Sequence, residues 1–287
     1  MIANYLLGEE EISNKDLAIK FPEWKMQRFE RRVGIMRRFV TTETSLSLST
    51  KLPIPGVGLT TDVLIYVTQT NEFAIPGDAF VFSSRLNLNC REIVQISSGC
   101  SGFADAMNLA ITISKPGENI MIVCSDTYSK GINSNECRDV LLFSDCASFY
   151  FFNRDECELV DYKTKIQCED YSAIEMLSLE RRFNMDGRRV YAFVINKVIP
   201  FLLENLTSQT EVLYLHQANK MMLEEIRTAL YSKFPNLYIP IFIKDGNTVS
   251  SSLIKLFIDS DIDVTGKTVS FCGFGVGLKM SLITMKF

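Results

Sequence analysis

An apolar, β-branched strand that stops on a chemically capable side chain and turns at once into a helix occurs twice in this 287-residue chain. The first case is EIVQISSGCSGFADAMNLAITIS, with Cys100 at the turn, and the second is EVLYLHQANKMMLEEIRTALYSK, with His216. Short buried strands alternating with helical spacing imply an α/β chain. Each half then closes on two strand-like runs, near Leu141 to Phe152 and near Val269 to Thr284. Two related halves sharing one site account for this, residues 1–165 carrying the cysteine and residues 166–287 the histidine.

The remaining segments fill in that plan. Asn14 to Arg32 has helical spacing with Ser13 or Asn14 as cap, while Thr41 to Thr61, rich in Ser, Thr, Pro and Gly, allows a short helix and then loop. DVLIYVTQT reads as a buried strand, Gly77 to Leu86 as a helix, and NIMIVCSD and DVLLFSDCASFYFF as further strands. After a polar stretch near Asp161 to Asp170, Tyr171 to Phe183 and Tyr191 to Asn205 read as helices, the latter bent at Pro200. KTVSFCGFG and GLKMSLITMKF form a closing hairpin.

Bulk properties exclude several functions. A net charge of −4 and a pI near 5.3 give no broad basic surface for nucleic acid. No window approaches the roughly eighteen apolar residues of a membrane span, and no signal peptide is visible. Eight scattered cysteines without a CxxC pair suggest neither a zinc site nor a disulfide framework, but a reducing cytoplasmic setting. One histidine rules out a multi-histidine metal centre. GFGVG at Gly273 to Gly277 has no βαβ unit after it, so it is no dinucleotide site, and no GxSxG elbow supports a serine hydrolase.

Three residues remain as chemical candidates. Cys100 lies in SSGCSGF among small neighbours at a helix start, where exposed amides favour a thiolate and lower its pKa. The same features suit a buried cysteine in a tight turn. His216, in LYLHQAN, is the one imidazole able to move a proton near neutral pH, or else a structural hydrogen-bonding group. Asn247, in DGNTVSSS, is a turn residue or an amide donor to a developing oxyanion.

Taken in order, SSGCSGF, LHQANKMM and DGNTVSSS resemble the nucleophile, histidine and asparagine segments of the beta-ketoacyl-acyl-carrier-protein synthase III family of the thiolase superfamily. ISNKDL, RRVGIMRR, TQTNEFAIPG, NMDGRRVYAFVINKVIP and CGFGVGLKMSLITM extend the resemblance along nearly the whole chain. It departs from the family in a late start that leaves little room for a complete first strand, a short Thr41 to Thr61 region, and bulky side chains in FSDCASFYFF.

The resemblance implies a thiolase-like five-layered αβαβα fold built from two related halves, working in the cytoplasm as a homodimer. It implies an acyltransferase in which Cys100 carries an acyl group while His216 and Asn247 assist condensation with a malonyl-type thioester. The Cys100 and Gly275 amides would form the oxyanion hole. Acyl-coenzyme A or acyl carrier protein would be the substrates and partners, with no metal or redox cofactor. Lys25, Arg28, Arg31, Arg32, Arg37 and Arg38 form a basic stretch suited to coenzyme A phosphates or an acidic carrier, or an ordinary solvated face, and Trp24 resembles a family tryptophan that stacks on the adenine of coenzyme A. The departures point to a specialised lipid or polysaccharide pathway. They also leave open non-condensing transfer to a hydroxyl or amine, and an inactive partner subunit whose substrate passage is filled.

Overall fold

The computed structural model describes residues 1–55, 60–132, 141–177 and 182–287, the last range without the side chain of Arg182. In chain order the elements are β1 (Ile2–Leu7), β2 (Glu10–Ser13), α1 (Asn14–Lys20), α2 (Met26–Val33), β3 (Arg37–Val40), α3 (Ser45–Thr50), β4 (Val63–Val67), α4 (Asp78–Arg85), β5 (Glu92–Ile96), α5 (Gly102–Ile113), β6 (Asn119–Asp126) and β7 (Cys146–Asn153). Then come β8 (Glu158–Ile166), β9 (Ile174–Leu177), β10 (Arg182–Met185), α6 (Gly187–Phe193), α7 (Ile199–Asn205), β11 (Val212–Leu215), α8 (Lys220–Tyr231), α9 (Ser252–Ser260), β12 (Thr268–Gly275) and β13 (Lys279–Lys286).

Side-chain alternation along the central strands creates the layers. Val63, Ile65 and Val67 of β4 face inward with Tyr150 and Phe152 of β7, packing on Phe103, Met107 and Ala110 of α5. Leu64, Tyr66, Phe149 and Phe151 face the other way, onto α3 and α4. In the second sheet Tyr214, Phe271 and Ile283 share the inner core with α9, whereas Leu215, Phe274 and Leu282 pack outward on α7 and α8. The order is therefore helix, sheet, helix, sheet, helix, with α5 and α9 in the middle. Aromatic rings fill that middle layer: Phe103 stands edge-on to Tyr150 and Phe271 at centroid distances of 5.6 and 5.3 Å.

The two sheets repeat one topology. The first runs β1-β7-β6-β4-β5, with β6, β4 and β5 parallel and β7 and β1 antiparallel to their neighbours. The second runs β8-β13-β12-β11 with the same directions, and one parallel bridge from Val212 to Tyr238 marks the place of a fifth strand. In this scheme β8 is the counterpart of β1. The change of sheet falls between Asn153 and Glu158, whereas a division at 165/166 would cut through β8.

The repeat also corrects the pairing suggested by the sequence. Cys100 precedes α5 through a short 3-10 turn, Gly99–Ser101; its topological counterpart is the 3-10 turn Val249–Ser251 after Asn247, which leads into α9. His216 instead ends β11, the counterpart of β4.

Other expectations change locally. Asn14 to Arg32 is two helices, α1 closing at Phe21 before α2 opens at Met26. Tyr171 to Phe183 is not a helix: Cys168–Ala173 forms 3-10 turns and β9 and β10 make a hairpin, the residues between them lying outside the described set. Its β-branched and aromatic positions pair across strands, overriding helical spacing. Gly187 to Asn205 is a continuous run whose middle, Val194–Val198, is a π turn; Pro200 lies just after it, where the widened turn absorbs its missing N–H. The start of the chain does hold a complete first strand, β1, paired over six residues with β7. Part of DVLLFSDCASFYFF, Asp139 and Val140, lies outside the described residues, and its remainder enters β7.

Candidate active site

Cys100, His216 and Asn247 reach one apolar cavity of about 170 Å³ from three different elements. Each is placed by a locally constrained turn. At the first, Gly99 takes φ +50° and leads into α5. Ser101 Oγ donates to Ser98 O at 3.1 Å and to Asp105 at 3.1 Å. Asp105 also receives Lys279 Nζ at 2.6 Å, Ser281 Oγ at 2.7 Å and Tyr162 OH at 2.8 Å, which ties the nucleophile helix to β8 and β13.

The close approach of β12 completes the Cys100 pocket. A Cβ on Gly273 would stand 2.4 Å from Cys100 O, and one on Gly275 would stand 2.8 Å from Cys100 Sγ. Gly275 has φ +152°, a conformation open to glycine. Backbone amides of Val276 and of Cys100 itself hydrogen-bond toward the sulfur. The Val276 amide beside Gly275 was not singled out from the sequence, because its side chain carries no signal for a backbone role.

At the second turn, His216 N–H donates to Cys272 O at 2.9 Å. The next residues fix the turn. Gln217 N–H donates to Ser252 Oγ and its Nε2 to Leu215 O, each at 2.8 Å, while its Oε1 accepts Phe242 N–H at 2.8 Å. Asn219 caps α8 by accepting Met222 N–H at 3.0 Å. Gln217 and Asn219 thus fix the turn that carries His216 and the start of α8. The ring packs edge-on against Phe274, and Nδ1 has no hydrogen-bond partner among the described residues.

At the third, Asn247 N–H donates to Leu142 O at 2.8 Å and its carbonyl accepts Ser144 N–H at 2.9 Å. Its side-chain Oδ1 accepts Val249 N–H at 2.9 Å, leaving the NH2 group as the donor for the cavity. Val249 is a fully buried β-branched residue at φ +50°, strain concentrated beside the site. Asp126 anchors the same corner. It accepts Ser250 Oγ at 2.5 Å and Gln69 N–H at 2.7 Å, and burial raises its pKa to about 6.

The electrostatics correct one expectation. Burial pushes the Cys100 thiol up to about 12, against which the Val276 and Cys100 amides act only in part. Desolvation lowers His216 to about 3. Burial thus favours a neutral thiol and a neutral imidazole, opposing the helix terminus expected to favour a thiolate.

The basic stretch divides. Trp24, stacked on Phe21 at 4.0 Å, lines an open cleft of about 490 Å³ with Arg28 and Arg32. Met221 borders both this cleft and the Cys100 cavity. Arg31 is exposed on α2. Arg37 is paired with Asp245 at 2.7 Å and Glu11 at 3.3 Å, facing a different cleft. Arg38 does not belong to a surface patch: it is fully buried, donating to Ile12 O, Asn14 Oδ1 and Leu141 O. Strand alternation in β3 sends it inward while Arg37 points out.

The bulky FSDCASFYFF stretch does not fill the cavity. Phe149 to Phe152 enter the two cores flanking the first sheet, and only Phe143 of this stretch reaches the cavity lining. Among the described residues no group of three or more His, Cys, Asp or Glu side chains is placed to hold a metal, and no helix is long and apolar enough to cross a membrane.

Comparison with known proteins bears on the fold. Residues 94–166 match the family model described as 3-oxoacyl-[acyl-carrier-protein (ACP)] synthase III. Beta-ketoacyl-[acyl-carrier-protein] synthase III of Lactobacillus helveticus is 25% identical, covering 96% of this chain and 94% of that protein. Its namesake from Oenococcus oeni is 26% identical, covering 98% and 96%. The crystal structure of 3-oxoacyl-(acyl carrier protein) synthase III from Pseudomonas aeruginosa PAO1 superposes with a TM-score of 0.86 at 21% identity, covering 99% of this chain and 96% of that one, which is a likeness of fold. The chain thus has the thiolase-like αβαβα fold and is similar, over nearly its whole length, to the beta-ketoacyl-acyl-carrier-protein synthase III family.

Proposed function

We propose that this protein is an acyltransferase that joins an acyl thioester to a malonyl-type thioester by decarboxylative Claisen condensation, through an acyl group held on Cys100. The observation that carries this reading is the convergence of Cys100, His216 and Asn247 on one closed apolar cavity beside an open basic cleft.

In the first step the Cys100 sulfur attacks the acyl carbon of the incoming thioester. Its proton passes to the neutral His216 and then to the departing thiolate, so that the acyl–sulfur bond is exchanged and a free thiol leaves. The amide of Cys100 and an amide of the Gly275–Val276 corner face the developing oxyanion. Such donors contribute about 3 to 4 kcal/mol each in a dry site.

In the second step the malonyl-type thioester loses carbon dioxide, and charge gathers on its thioester oxygen. His216, neutral and protonated on one nitrogen, and the Asn247 NH2 donate hydrogen bonds to that oxygen. The carbon so generated attacks acyl-Cys100, giving a β-ketoacyl thioester and expelling the Cys100 thiolate, which takes up a proton from water to restore the thiol. The dry cavity strengthens these contacts and keeps the acyl-enzyme from water.

Arg28 and Arg32 would receive the phosphates of coenzyme A or an acidic carrier protein and Trp24 would stack on the adenine, delivering the thioester past Met221. We place the protein in the cytoplasm and as a homodimer. β5 supports the latter: it is the free edge of the first sheet and leaves Ile93, Val94 and Ile96 half-exposed, an unpaired edge that pairing would cover.

The test is intact mass after incubation with acyl thioesters, with and without a malonyl thioester, beside Cys100→Ala. An adduct that needs Cys100 and is cleared by the malonyl thioester, with carbon dioxide and a β-ketoacyl product formed, is expected. Clearance only by an alcohol or amine would replace condensation with simple transfer, and no adduct from any donor would overturn the enzymatic reading.

A further inference from the structure

Next to the Cys100 cavity lies an open cleft of about 410 Å³ with the exposed Tyr171 and Leu177 in its lining, and three side chains, Tyr128, Ile174 and Val276, line both. Tyr128 is the largest of them. Its ring packs with Phe143 and Phe183 in a three-ring cluster, at centroid distances of 5.2 and 5.6 Å. Its hydroxyl donates to Gln69 Oε1 at 2.5 Å.

Gln69 is itself immobilised. Its N–H is held by Asp126, and its Oε1 lies against Gly99, where a Cβ would come within 2.4 Å. The Tyr128 side of the contact is pinned to the same loop, because Thr127 N–H donates to Thr70 Oγ1 at 2.9 Å. The partition therefore spans the ends of β4 and β6 and stands immediately behind the nucleophile. Opening it by rotation of the ring would break the contact with Gln69 and leave the buried Tyr128 hydroxyl without a partner.

We propose that Tyr128, clamped by Gln69, is the end wall that limits the acyl group on Cys100 to short chains, and that the space behind it is a dormant extension of the acyl site. This rests on the acyl-Cys100 reading above. At about 170 Å³ the Cys100 cavity is well below the roughly 300 to 1,000 Å³ of pockets that enclose drug-sized ligands, in keeping with a short acyl group. The adjoining cleft offers Met176, Leu177 and Phe183 to an alkyl chain, with Gln69, Ser97 and Glu175 as its polar lining.

The experiment compares acetyl- and decanoyl-coenzyme A as donors to Cys100, read by intact mass. The unsubstituted protein is expected to favour acetyl. Tyr128→Ala should raise the decanoyl-to-acetyl labelling ratio at least about tenfold, the scale on which apolar pockets discriminate chain length. Tyr128→Phe keeps the ring but loses the clamp to Gln69, so its ratio should fall between those of the unsubstituted and alanine proteins; Tyr128→Leu reads the same opening if the alanine variant does not fold. A binding arm is independent of the chemistry: decan-1-ol, titrated calorimetrically into Cys100→Ala and Cys100→Ala/Tyr128→Ala proteins, should bind only the latter. Equal decanol binding by both, or a folded Tyr128→Ala protein with an unchanged labelling ratio, overturns the wall. Absence of any adduct together with decanol binding only by the double variant would instead overturn the acyl-Cys100 reading and leave the wall standing.

Discussion

Replacing Gly275 by alanine tests the geometry that brings β12 against the nucleophile. The new Cβ would stand 2.8 Å from Cys100 Sγ and 3.1 Å from Cys100 Cβ. Ordinary contact begins near 3.4 Å, so the sulfur or the strand must yield by roughly 0.6 Å in a close-packed interior. A misplacement of about 1 Å at a reacting centre costs about a hundredfold in rate, so the clash alone predicts a loss of about tenfold. The same shift turns the Gly275–Val276 corner away from the oxyanion, and losing one such donor costs a further 10²- to 10³-fold. Alanine must also hold φ near +152°, which adds about 1 to 3 kcal/mol of strain.

The assay is the rate of Cys100 acylation by intact mass, with urea unfolding run in parallel. Gly266→Ala is the control: Gly266 has φ +73° but nothing within 4 Å of a Cβ, so it should lose about 1 kcal/mol or more of stability and keep its acylation rate. A folded Gly275→Ala protein that acylates as fast as the unsubstituted one would refute the argument that this strand sets the position of the sulfur.

His216→Gln should change how stability depends on acid. Burial lowers His216 from 6.5 to about 3, so the unfolded chain binds its proton first and this residue costs stability as pH falls from about 6.5 towards 3, by up to about 1.4 kcal/mol per pH unit. Asp126, raised to about 6, acts in the opposite sense over part of that window, but it is common to both proteins and cancels in their difference. The urea stability of the glutamine variant minus that of the unsubstituted protein should rise steadily from pH 7 to pH 4, and a difference constant with pH would contradict the burial argument. Asn247→Asp should still form acyl-Cys100 but condense 10²- to 10³-fold more slowly, since a carboxylate opposes the oxygen charge that the amide would stabilise; equal loss of both steps would show that Asn247 acts on folding or acylation instead. Phe103→Ala removes the ring packed between Tyr150 and Phe271 in the middle layer and should cost about 3 to 5 kcal/mol by urea denaturation. A cost below 1 kcal/mol would mean that this core is not close-packed.

Much of the fold was legible because its central strands are short β-branched runs bounded by turn residues. β4, β5, β6 and the β12–β13 hairpin fall where periodicity places them. The failures have identifiable causes. β9 and β10 were read as a helix because an isolated hairpin has no local signal stronger than its spacing. β8 was read as a polar linker because one of its faces is solvated, which gives mixed burial along the strand. The likeness between the Cys100 and His216 turns was real as local sequence but misleading as symmetry, since register and strand order are set by pairing partners far away in the chain.

The sequence by itself determined the chemistry on offer: one imidazole, a cysteine among small residues at a helix start, and an asparagine after a glycine turn. Those are properties of side chains and of local backbone. Only the tertiary structure decided that the three share a cavity, that Arg38 is buried while Arg28 and Arg32 line a cleft, and that Tyr128 lines both the Cys100 cavity and the open cleft next to it. It also decided the charge state. Whether Cys100 rests as thiol or thiolate depends on how completely β12 and the surrounding core exclude water, and desolvation is a property of everything packed around a residue, not of its neighbours in sequence.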